Sequence, residues 1–419
     1  MMDHEIRRSG LAGNFCAIIL ELQGRPDIAW ISEQCRQFGR RFPQAVARLQ
    51  SKGRQFEWSS RKDMSLPLYE HQSTALNHWS SSDKIIEDIV NRSMPPSDAA
   101  PVEIHIIEDG DRSQLVLRWF HPVCDAKGAE LVLHHLLQGP VADHGDSTSA
   151  ILQLMRRWSL WQKIKLAYKA KKNIQQLDQH RSILPETQPS VPDRVKIKTL
   201  RFEQDDSANI MKLARQQTGL TGTSLYFIGC MMRALEQTGS ETEGDAYCVP
   251  YAMNLRKRKS LFPVFGNQVS FLFAQASRET VRSRHELFTV LREQNKNAIK
   301  QGLDRAMLPL MQAGSWLPLE KYGNIVRYSP EGRERSSFWF SYTGSMDPEP
   351  ESVQGCPVTG VYQFSQVTSP PSLGLLVNLF DSHVILSFNY VASQFKPEWM
   401  DQLMMNMKAE LLNIDTDPI

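Results

Sequence analysis

Residues 114–137, QLVLRWFHPVCDAKGAELVLHHLL, join an apolar strand pattern to an amphipathic helix pattern. A second strand-like run at 102–108, VEIHIIE, comes just before them. Asp109-Gly110 stands between the two runs, and this dipeptide is a strong signal for a tight turn between antiparallel strands. The sequence therefore predicts a β-hairpin followed directly by a helix, with the second strand ending at His121.

The corner between strand and helix carries a histidine and a carboxylate four residues apart, His121 and Asp125. Asp125 stands at the N-cap position of the predicted helix, which Gly139-Pro140 would end. Rigid elements on both sides would hold the histidine in place, as a proton-transfer group requires. The same residues also fit a structural histidine and a simple helix cap, so these residues alone leave both interpretations open.

Length and composition indicate a globular protein with room for two domains of ordinary size. The chain has 419 residues, of which 41% are hydrophobic and 22% charged, with a net charge of +2. This balance gives no general signature of polyanion binding, so no nucleic acid partner is expected. Apolar runs are too short to span a membrane. A cytoplasmic location and a monomeric chain are the default expectations.

The six cysteines lie far apart and without CxxC spacing, which predicts reduced and mostly buried thiols rather than disulfides. No zinc-binding pattern is present. His134 and His135 are adjacent, and neighbouring helical positions diverge by about 100°, so they are poor joint ligands. We expect no metal site.

Residues 151–174, ILQLMRRWSLWQKIKLAYKAKKNI, carry seven basic residues and no acidic residue, interleaved with aromatic and aliphatic side chains. A basic amphipathic helix of this kind can contact an anionic membrane surface or a phosphate group. It can equally dock its apolar side on the protein and leave its lysines in solvent.

The chain also shows a two-part layout, in which strand-then-helix patterns open both halves and a hairpin-then-helix pattern recurs near the end. Residues 176–194 are polar and rich in proline, which is typical of a linker. The predicted division is 1–175, linker 176–194 and 195–419. In the second half no base occupies the place of His121, so any chemistry is expected in the first half, facing the second.

Two motifs together resemble a known superfamily. HPVCDAKG at 121–128 resembles the HxxxD motif of the CoA-dependent acyltransferases, and MNLRKRKSLFPVFGNQV at 253–269 resembles their NxRxR…P…GN segment. This superfamily includes plant BAHD acyltransferases, nonribosomal peptide condensation domains, wax ester synthases and chloramphenicol acetyltransferase. The resemblance implies an α/β (α+β) fold of two chloramphenicol-acetyltransferase-like domains, with mixed sheets flanked by helices and an active-site tunnel between them.

The resemblance also implies roles for single residues. His121 would be the general base, and Asp125 would pair with Arg256 in a clip that shapes the catalytic loop, with Asn254 and Asn267 in the same segment. Ser341 or Thr343, in the stretch SSFWFSYTGSMD at 336–347, would stabilise the oxyanion. A simple turn is the alternative for that stretch.

The chain departs from the superfamily at several positions. Phe120 and Ala126 stand where condensation domains usually have a second histidine and a glycine, which argues against a standard peptide-forming domain. The DFGWG motif of plant BAHD enzymes is missing. Cys124 beside the base allows a second hypothesis, a covalent acyl-enzyme on sulfur, although adjacent turn residues seldom point the same way.

The expected function is acyl transfer from acyl-CoA or an acyl-phosphopantetheine carrier protein to a hydroxyl or amine of a small or lipid-like acceptor. No bound cofactor is expected, because the thioester is a co-substrate. The alternative is a non-catalytic condensation-like module that binds a carrier protein or ligand. Under the acyl-transfer hypothesis, residues 151–174 would suit an anionic donor, an acidic carrier protein or a membrane-resident acceptor. A peripheral membrane protein that works through this helix is a third alternative.

Overall fold

The fold is built from two main sheets with helices packed around them. The computed structural model describes residues 1–52, 55–59, 64–73, 79–93, 100–138, 149–241, 243–257 and 259–414. Both sheets mix parallel with antiparallel pairing, and the helices flank them. The predicted α/β class is confirmed.

The first part of the chain contains these elements: α1 (Met2–Arg8), β1 (Phe15–Gln23), α2 (Ile28–Arg41), β2 (Arg48–Lys52), β3 (Gln55–Ser59), β4 (Leu68–Gln72), α3 (Trp79–Asn91), β5 (Val102–Asp109), β6 (Arg112–Phe120), α4 (Ala126–Leu137), α5 (Ala150–Arg156) and α6 (Leu160–Leu177). The second part contains these: β7 (Val195–Arg201), α7 (Gln204–Thr218), α8 (Thr223–Thr238), β8 (Ala246–Asn254), β9 (Val269–Ser277), α9 (Arg278–Arg282), α10 (Arg284–Gln301), α11 (Leu303–Gly314), α12 (Leu319–Arg327), β10 (Trp339–Ser345), β11 (Ser352–Val353), β12 (Cys356–Ser365), β13 (Leu373–Phe380), β14 (His383–Val391) and α13 (Pro397–Leu412).

The predicted hairpin is β5–β6, in the sheet of order β11-β12-β1-β6-β5-β4. Asp109 pairs with Arg112, so the two-residue loop begins at Gly110, one residue later than predicted. Gly110 has φ +63, a conformation that glycine adopts without strain. Strand β6 ends at Phe120, one residue before His121. The predicted helix follows as α4, and its expected stop at Gly139-Pro140 lies outside the described residues.

Alternation along β6 sends side chains to two different cores. Leu115 and Leu117 belong to a cluster with residues of α2 and α4, whereas Val116 belongs to a cluster with Val195 and Val391 of the second part. The sheet is therefore covered on both faces, and the face with Val116 contacts the second part.

The second main sheet has the order β10-β13-β14-β7, and β8 and β9 form a separate hairpin. The β13–β14 hairpin is followed by α13, as β5–β6 is followed by α4, so the predicted recurrence of this pattern is present in the structure. Asp381 and Ser382 form the β13–β14 turn with positive φ values of 46 and 62. The predicted apolar helix at 225–235 is the centre of α8 and is buried throughout.

Two elements cross the predicted division at 175–195. Strand β12 pairs with β1 in the sheet of the first part, and α6 packs against α11 while Ala170 joins the core of the second part. The predicted linker also lies against the second part, because Ile183 N–H donates to the Ala246 carbonyl and Gln188 N–H to the Gln394 carbonyl, both at 2.9 Å. The division into 1–175, 176–194 and 195–419 stays a prediction.

The single helix expected at 151–174 is two helices, α5 and α6. Ser159 starts α6 with a capping box, in which its side chain accepts from Gln162 N–H and the Gln162 side chain accepts from Ser159 N–H. This reciprocal pair fixes a new helix start, so the chain turns after Arg157.

A buried ion cluster ties α1 to the second part. Arg327 Nη1 lies 3.1 Å from Glu5 Oε2, and Arg327 Nε donates to Glu334. The two carboxylates are fully buried, with side-chain exposures of 0%. Burial raises the pKa of Glu334 to about 6, and the Arg327 guanidinium opposes that rise.

We expect Arg327→Leu to destabilise the protein by about 3–5 kcal/mol, because it leaves two buried carboxylates without their cation. The measurement is the urea concentration at the unfolding midpoint. Arg305→Leu is the matched control, since Arg305 pairs with Asp304 at a 58% exposed position and its loss would cost less than about 1 kcal/mol. Equal shifts for the two variants would contradict the structural role of Arg327.

Candidate active site

His121 stands directly after β6, and hydrogen bonds from two parts of the chain hold its main chain. Its N–H donates to the Asn14 carbonyl at 2.9 Å. Its own carbonyl accepts from Asn267 Nδ2 at 3.2 Å. The residue is half-buried. The backbone that carries the imidazole is therefore fixed on both sides.

Burial lowers the pKa of the His121 imidazole below its ordinary value. The Asp125 carboxylate, the main-chain carbonyl of His121 itself and the Asn267 side chain oppose this by favouring the protonated ring, but burial prevails. The ring is therefore neutral at pH 7, which is the state that accepts a proton.

The Asp125 carboxylate is saturated with hydrogen bonds. Arg256 Nη1 lies 2.7 Å from Oδ1 and 2.8 Å from Oδ2, and both side chains are buried, with exposures of 3% and 5%. Gly128 N–H donates to Oδ1 at 2.8 Å and Gln268 N–H donates to Oδ2 at 2.6 Å. Both carboxylate oxygens thus accept from the same guanidinium nitrogen, Arg256 Nη1. Asp125 is both the N-cap of α4 and the anchor of a segment from the second part.

The segment that carries Arg256 is shaped by its own contacts. Asn254 Oδ1 accepts from Arg256 N–H at 3.0 Å, and Arg256 Nε donates to the Pro263 carbonyl at 3.2 Å. Gly266, at φ +85, donates its N–H to the Val123 carbonyl at 2.7 Å. The structure thus brings His121, Asp125, Arg256, Asn254 and Asn267 together. The second arginine of the motif, Arg258, lies outside the described residues.

Sequence reasoning assigned no role to two residues of this corner, Gly128 and Gln268. A Cβ on Gly128 would lie 2.5 Å from the Val264 carbonyl oxygen and 3.2 Å from Arg256 Nη2, so no larger residue fits. Gln268 is 2% exposed, and its Oε1 accepts from Ser149 Oγ at 2.9 Å. Gln268 therefore connects the start of α5 to the Asp125 carboxylate. Both residues lie within the two quoted motifs, so the motifs could have indicated their importance.

Cys124 is fully buried, and burial raises the pKa of its thiol well above the ordinary value. Its carbonyl accepts from the Trp119 indole N–H at 3.0 Å. A neutral, enclosed thiol is a poor nucleophile, which favours the interpretation of Cys124 as a core side chain.

The two oxyanion candidates lie on β10. Thr343 Oγ1 lies 3.5 Å from the Val377 carbonyl and accepts from Gln363 Nε2 at 3.2 Å. Gln363 Nε2 also lies 3.4 Å from Oε1 of Glu130 on α4. Ser341 is half-buried, and its hydroxyl has no hydrogen bond to another described residue.

Glu130 is a buried acid that the sequence did not single out. Burial raises its pKa to about 7, although Lys127 Nζ lies 2.6 Å away and opposes the rise. Glu130 lies five residues beyond Asp125, the N-cap of α4, and is linked to Thr343 of β10 through Gln363. It is a second titratable group close to the corner.

Among the described residues, no group of three or more His, Cys, Asp or Glu side chains is placed to hold a metal ion. The same residues include no helix with the length and apolar character needed to cross a membrane.

A cleft of about 270 Å³ lies between α6, β9 and α10, and its lining is rich in side-chain amides. The predicted tunnel at His121 stays a prediction. All six cysteines are free, and only Cys356 is not buried.

Comparison with known proteins found structural matches only, since no sequence family and no curated protein matched. The trichothecene 15-O-acetyltransferase TRI3 from Fusarium sporotrichioides matches with a TM-score of 0.73 and 10% identity, over 98% of this chain and 93% of its own. The first condensation domain of the CDA synthetase matches with a TM-score of 0.71 and 14% identity, over 100% and 95%. The starter condensation domain of rhizomide synthetase RzmA, in complex with C8-CoA and Leu-SNAC, matches with 0.68 and 11%, over 96% and 89%.

These matches belong to the CoA-dependent acyltransferase superfamily that the two motifs resemble, and they share its chloramphenicol-acetyltransferase-like fold. The predicted resemblance is confirmed at the level of the fold. At identities of 10–14% the comparison gives the architecture, and the activity must be argued from the site.

A double-mutant cycle tests the Asp125–Arg256 pair. We expect Asp125→Asn and Arg256→Met each to cost about 3–5 kcal/mol, because each leaves a buried polar partner uncompensated. The double variant would cost clearly less than the sum, since the charges are coupled. Urea unfolding of the four proteins measures this coupling.

The control cycle uses the exposed pair Lys198–Asp401, with side-chain exposures of 29% and 61%, as Lys198→Met and Asp401→Asn. Its coupling is expected to stay below about 1 kcal/mol. Additive costs at Asp125 and Arg256 would show that the clip contributes nothing as a pair.

Proposed function

We propose that this protein is an acyltransferase that moves an acyl group from a CoA or carrier-protein thioester to the hydroxyl or amine of a small or lipid-like acceptor. The proposal is carried by the different environments of Asp125 and His121 at the corner. Asp125 is saturated by Arg256 and two backbone N–H groups, whereas the His121 imidazole is neutral and half-buried at a rigid strand end.

We place the base at Nε2 of His121 and the ring proton on Nδ1. The main-chain carbonyl of His121 opposes the lowering of the His121 pKa, and Nδ1 is the ring nitrogen nearer to that carbonyl along the side chain. With the proton on Nδ1, the lone pair of Nε2 is free. Asp125 is therefore a positioning residue and takes no proton.

The reaction then runs in two proton transfers. Nε2 takes the proton of the acceptor O–H or N–H while that oxygen or nitrogen bonds to the thioester carbon, which gives a tetrahedral oxyanion. The C–S bond breaks, the acyl group stays on the acceptor, and the leaving thiolate takes the proton from Nε2. His121 returns to its neutral form, and no cofactor is consumed.

Ser341 is the better of the two oxyanion candidates. The Thr343 hydroxyl is near both the Val377 carbonyl and Gln363, so its hydrogen-bonding capacity is already in use. Ser341 is half-buried and directly follows Phe340, which belongs to the core. Its hydroxyl makes no hydrogen bond to another described residue, so it can donate to the oxyanion. A single donor to a developing oxyanion is worth about 3 kcal/mol.

Fold similarity and chemistry support the proposed donor and acceptor classes. One structural match is a complex with C8-CoA, and another carries the name of an O-acetyltransferase. We accordingly propose acyl-CoA or acyl-phosphopantetheine as co-substrate, which reaches His121 through a tunnel between the two parts of the chain. The carrier protein is a partner only if the donor is bound to it.

His121→Ala is expected to lower acyl transfer by about two to four powers of ten, because general-base help is lost. The measurement is release of free thiol from a set of acyl-CoAs in the presence of hydroxyl and amine acceptors. His134→Ala on α4 is the matched control, because His134 is only partly buried and lies at the last turn of the helix, away from the corner.

The alternative function, a non-catalytic binding module, predicts the opposite results for the unchanged protein and His121→Ala. A non-catalytic module would bind a carrier protein equally well with His121 or alanine and would release no thiol with any donor. That pair of results would replace the acyltransferase proposal.

The rate should also depend on pH in one direction. Because burial places the pKa of His121 below its ordinary 6.5, kcat/KM is expected to be level near pH 7 and to fall about tenfold per pH unit below that pKa, as the ring becomes protonated. Protonation of Glu130, which has a pKa of about 7, is the competing explanation for a fall in kcat/KM at low pH. The acid limb should persist in Glu130→Gln, and its disappearance there would assign the limb to Glu130.

A further inference from the structure

The outward face of α6 is apolar and aromatic. Leu160, Trp161, Ile164 and Tyr168 have exposures of 72%, 79%, 48% and 68%. At about 100° per residue, these four side chains lie within roughly 100° of the helix circumference. They form one continuous ridge along the first half of the helix, here called the α6 ridge.

The side chains of the ridge are not part of the hydrophobic core. The opposite side of α6 packs inward, where Ala170 and Leu177 are buried and Leu166 and Ile174 are partly buried against the second core. The helix therefore has an apolar side for the protein and a second apolar side in solvent. A solvated helix face ordinarily carries polar residues, so the ridge needs a separate explanation.

The segment that carries the ridge is rich in basic residues and contains no acidic one. Lys165, Lys171 and Lys172 lie on the same outward arc, and Arg156 and Arg157 are exposed where the chain enters α6. Residues 151–174 contain seven basic residues and no acidic one, although the whole chain carries a net charge of only +2. The positive charge is thus concentrated on this surface.

A second exposed tryptophan follows α11, a helix that packs against α6. Lys169 Nζ donates to the Gln301 carbonyl at 3.1 Å, beside the start of α11, and α11 also packs against α5. Helix α11 therefore runs back toward the start of α6. Trp316, 80% exposed, follows the end of α11.

We propose that the α6 ridge with its lysines is a docking surface for an anionic lipid bilayer. Side chains exposed to this degree protrude from the surface, which suits insertion among lipid headgroups, where tryptophan and tyrosine are favoured. The surrounding lysines supply the attraction to anionic lipid. Membrane binding through this surface is independent of the proposed acyl transfer.

Cosedimentation of the 419-residue chain with vesicles tests the proposal. Binding is expected to vesicles of phosphatidylcholine mixed with phosphatidylglycerol, to be weak to phosphatidylcholine alone, and to fall as salt is raised. Lys165→Gln, Lys171→Gln and Lys172→Gln together should weaken binding about 100-fold, from about fivefold per charge. Trp161→Ser with Tyr168→Ser should abolish it.

The matched control is Met405→Ser with Lys408→Gln on α13, an exposed apolar residue, 63% exposed, with a lysine one helical turn away. It should bind like the unchanged protein, and so should His121→Ala, which separates this result from the enzyme proposal. No binding to anionic vesicles, equal losses in the control, or ridge-dependent binding of an acidic carrier protein in place of vesicles would each overturn the inference.

Discussion

The structure around the corner depends on one ion pair, Asp125 with Arg256. It joins the first turn of α4 to a segment from the far side of the sequence, and it does so with both side chains almost fully buried. A buried carboxylate persists only when its charge and lone pairs are satisfied, and here a guanidinium and two backbone N–H groups do so. The pair thus fixes the loop from which His121 projects.

The same exchange between the two parts of the chain recurs elsewhere. Strand β12 pairs within the first sheet, and α6 contributes to the second core. Arg327 of α12 binds Glu5 of α1. Each of these contacts raises the cost of moving one part against the other. For the proposed acyl transfer, a corner whose groups come from both parts would need such rigidity, because small displacements of catalytic groups cost large factors in rate.

Burial also sets the charge states near the corner. It lowers the pKa of His121 and raises that of Glu130 to about 7, so both groups favour their neutral forms relative to solvent. The basic residues of α6, by contrast, are held at the surface together with exposed tryptophan and tyrosine. The molecule thus separates a low-dielectric interior site from a charged outer face, and the two are joined through Gln268 and the start of α5.

The sequence by itself determined the β5–β6 hairpin, the N-cap at Asp125 and the helix α4, because turn residues, caps and apolar periodicity act over a few positions. The motifs also named Asp125 and Arg256 as partners. Tertiary structure alone decided that β12 crosses to the first sheet, that Gly128 admits no Cβ and that burial raises the pKa of Glu130 to about 7. Strand pairing, steric fit and burial depend on atoms brought from distant parts of the chain, and no local pattern encodes them.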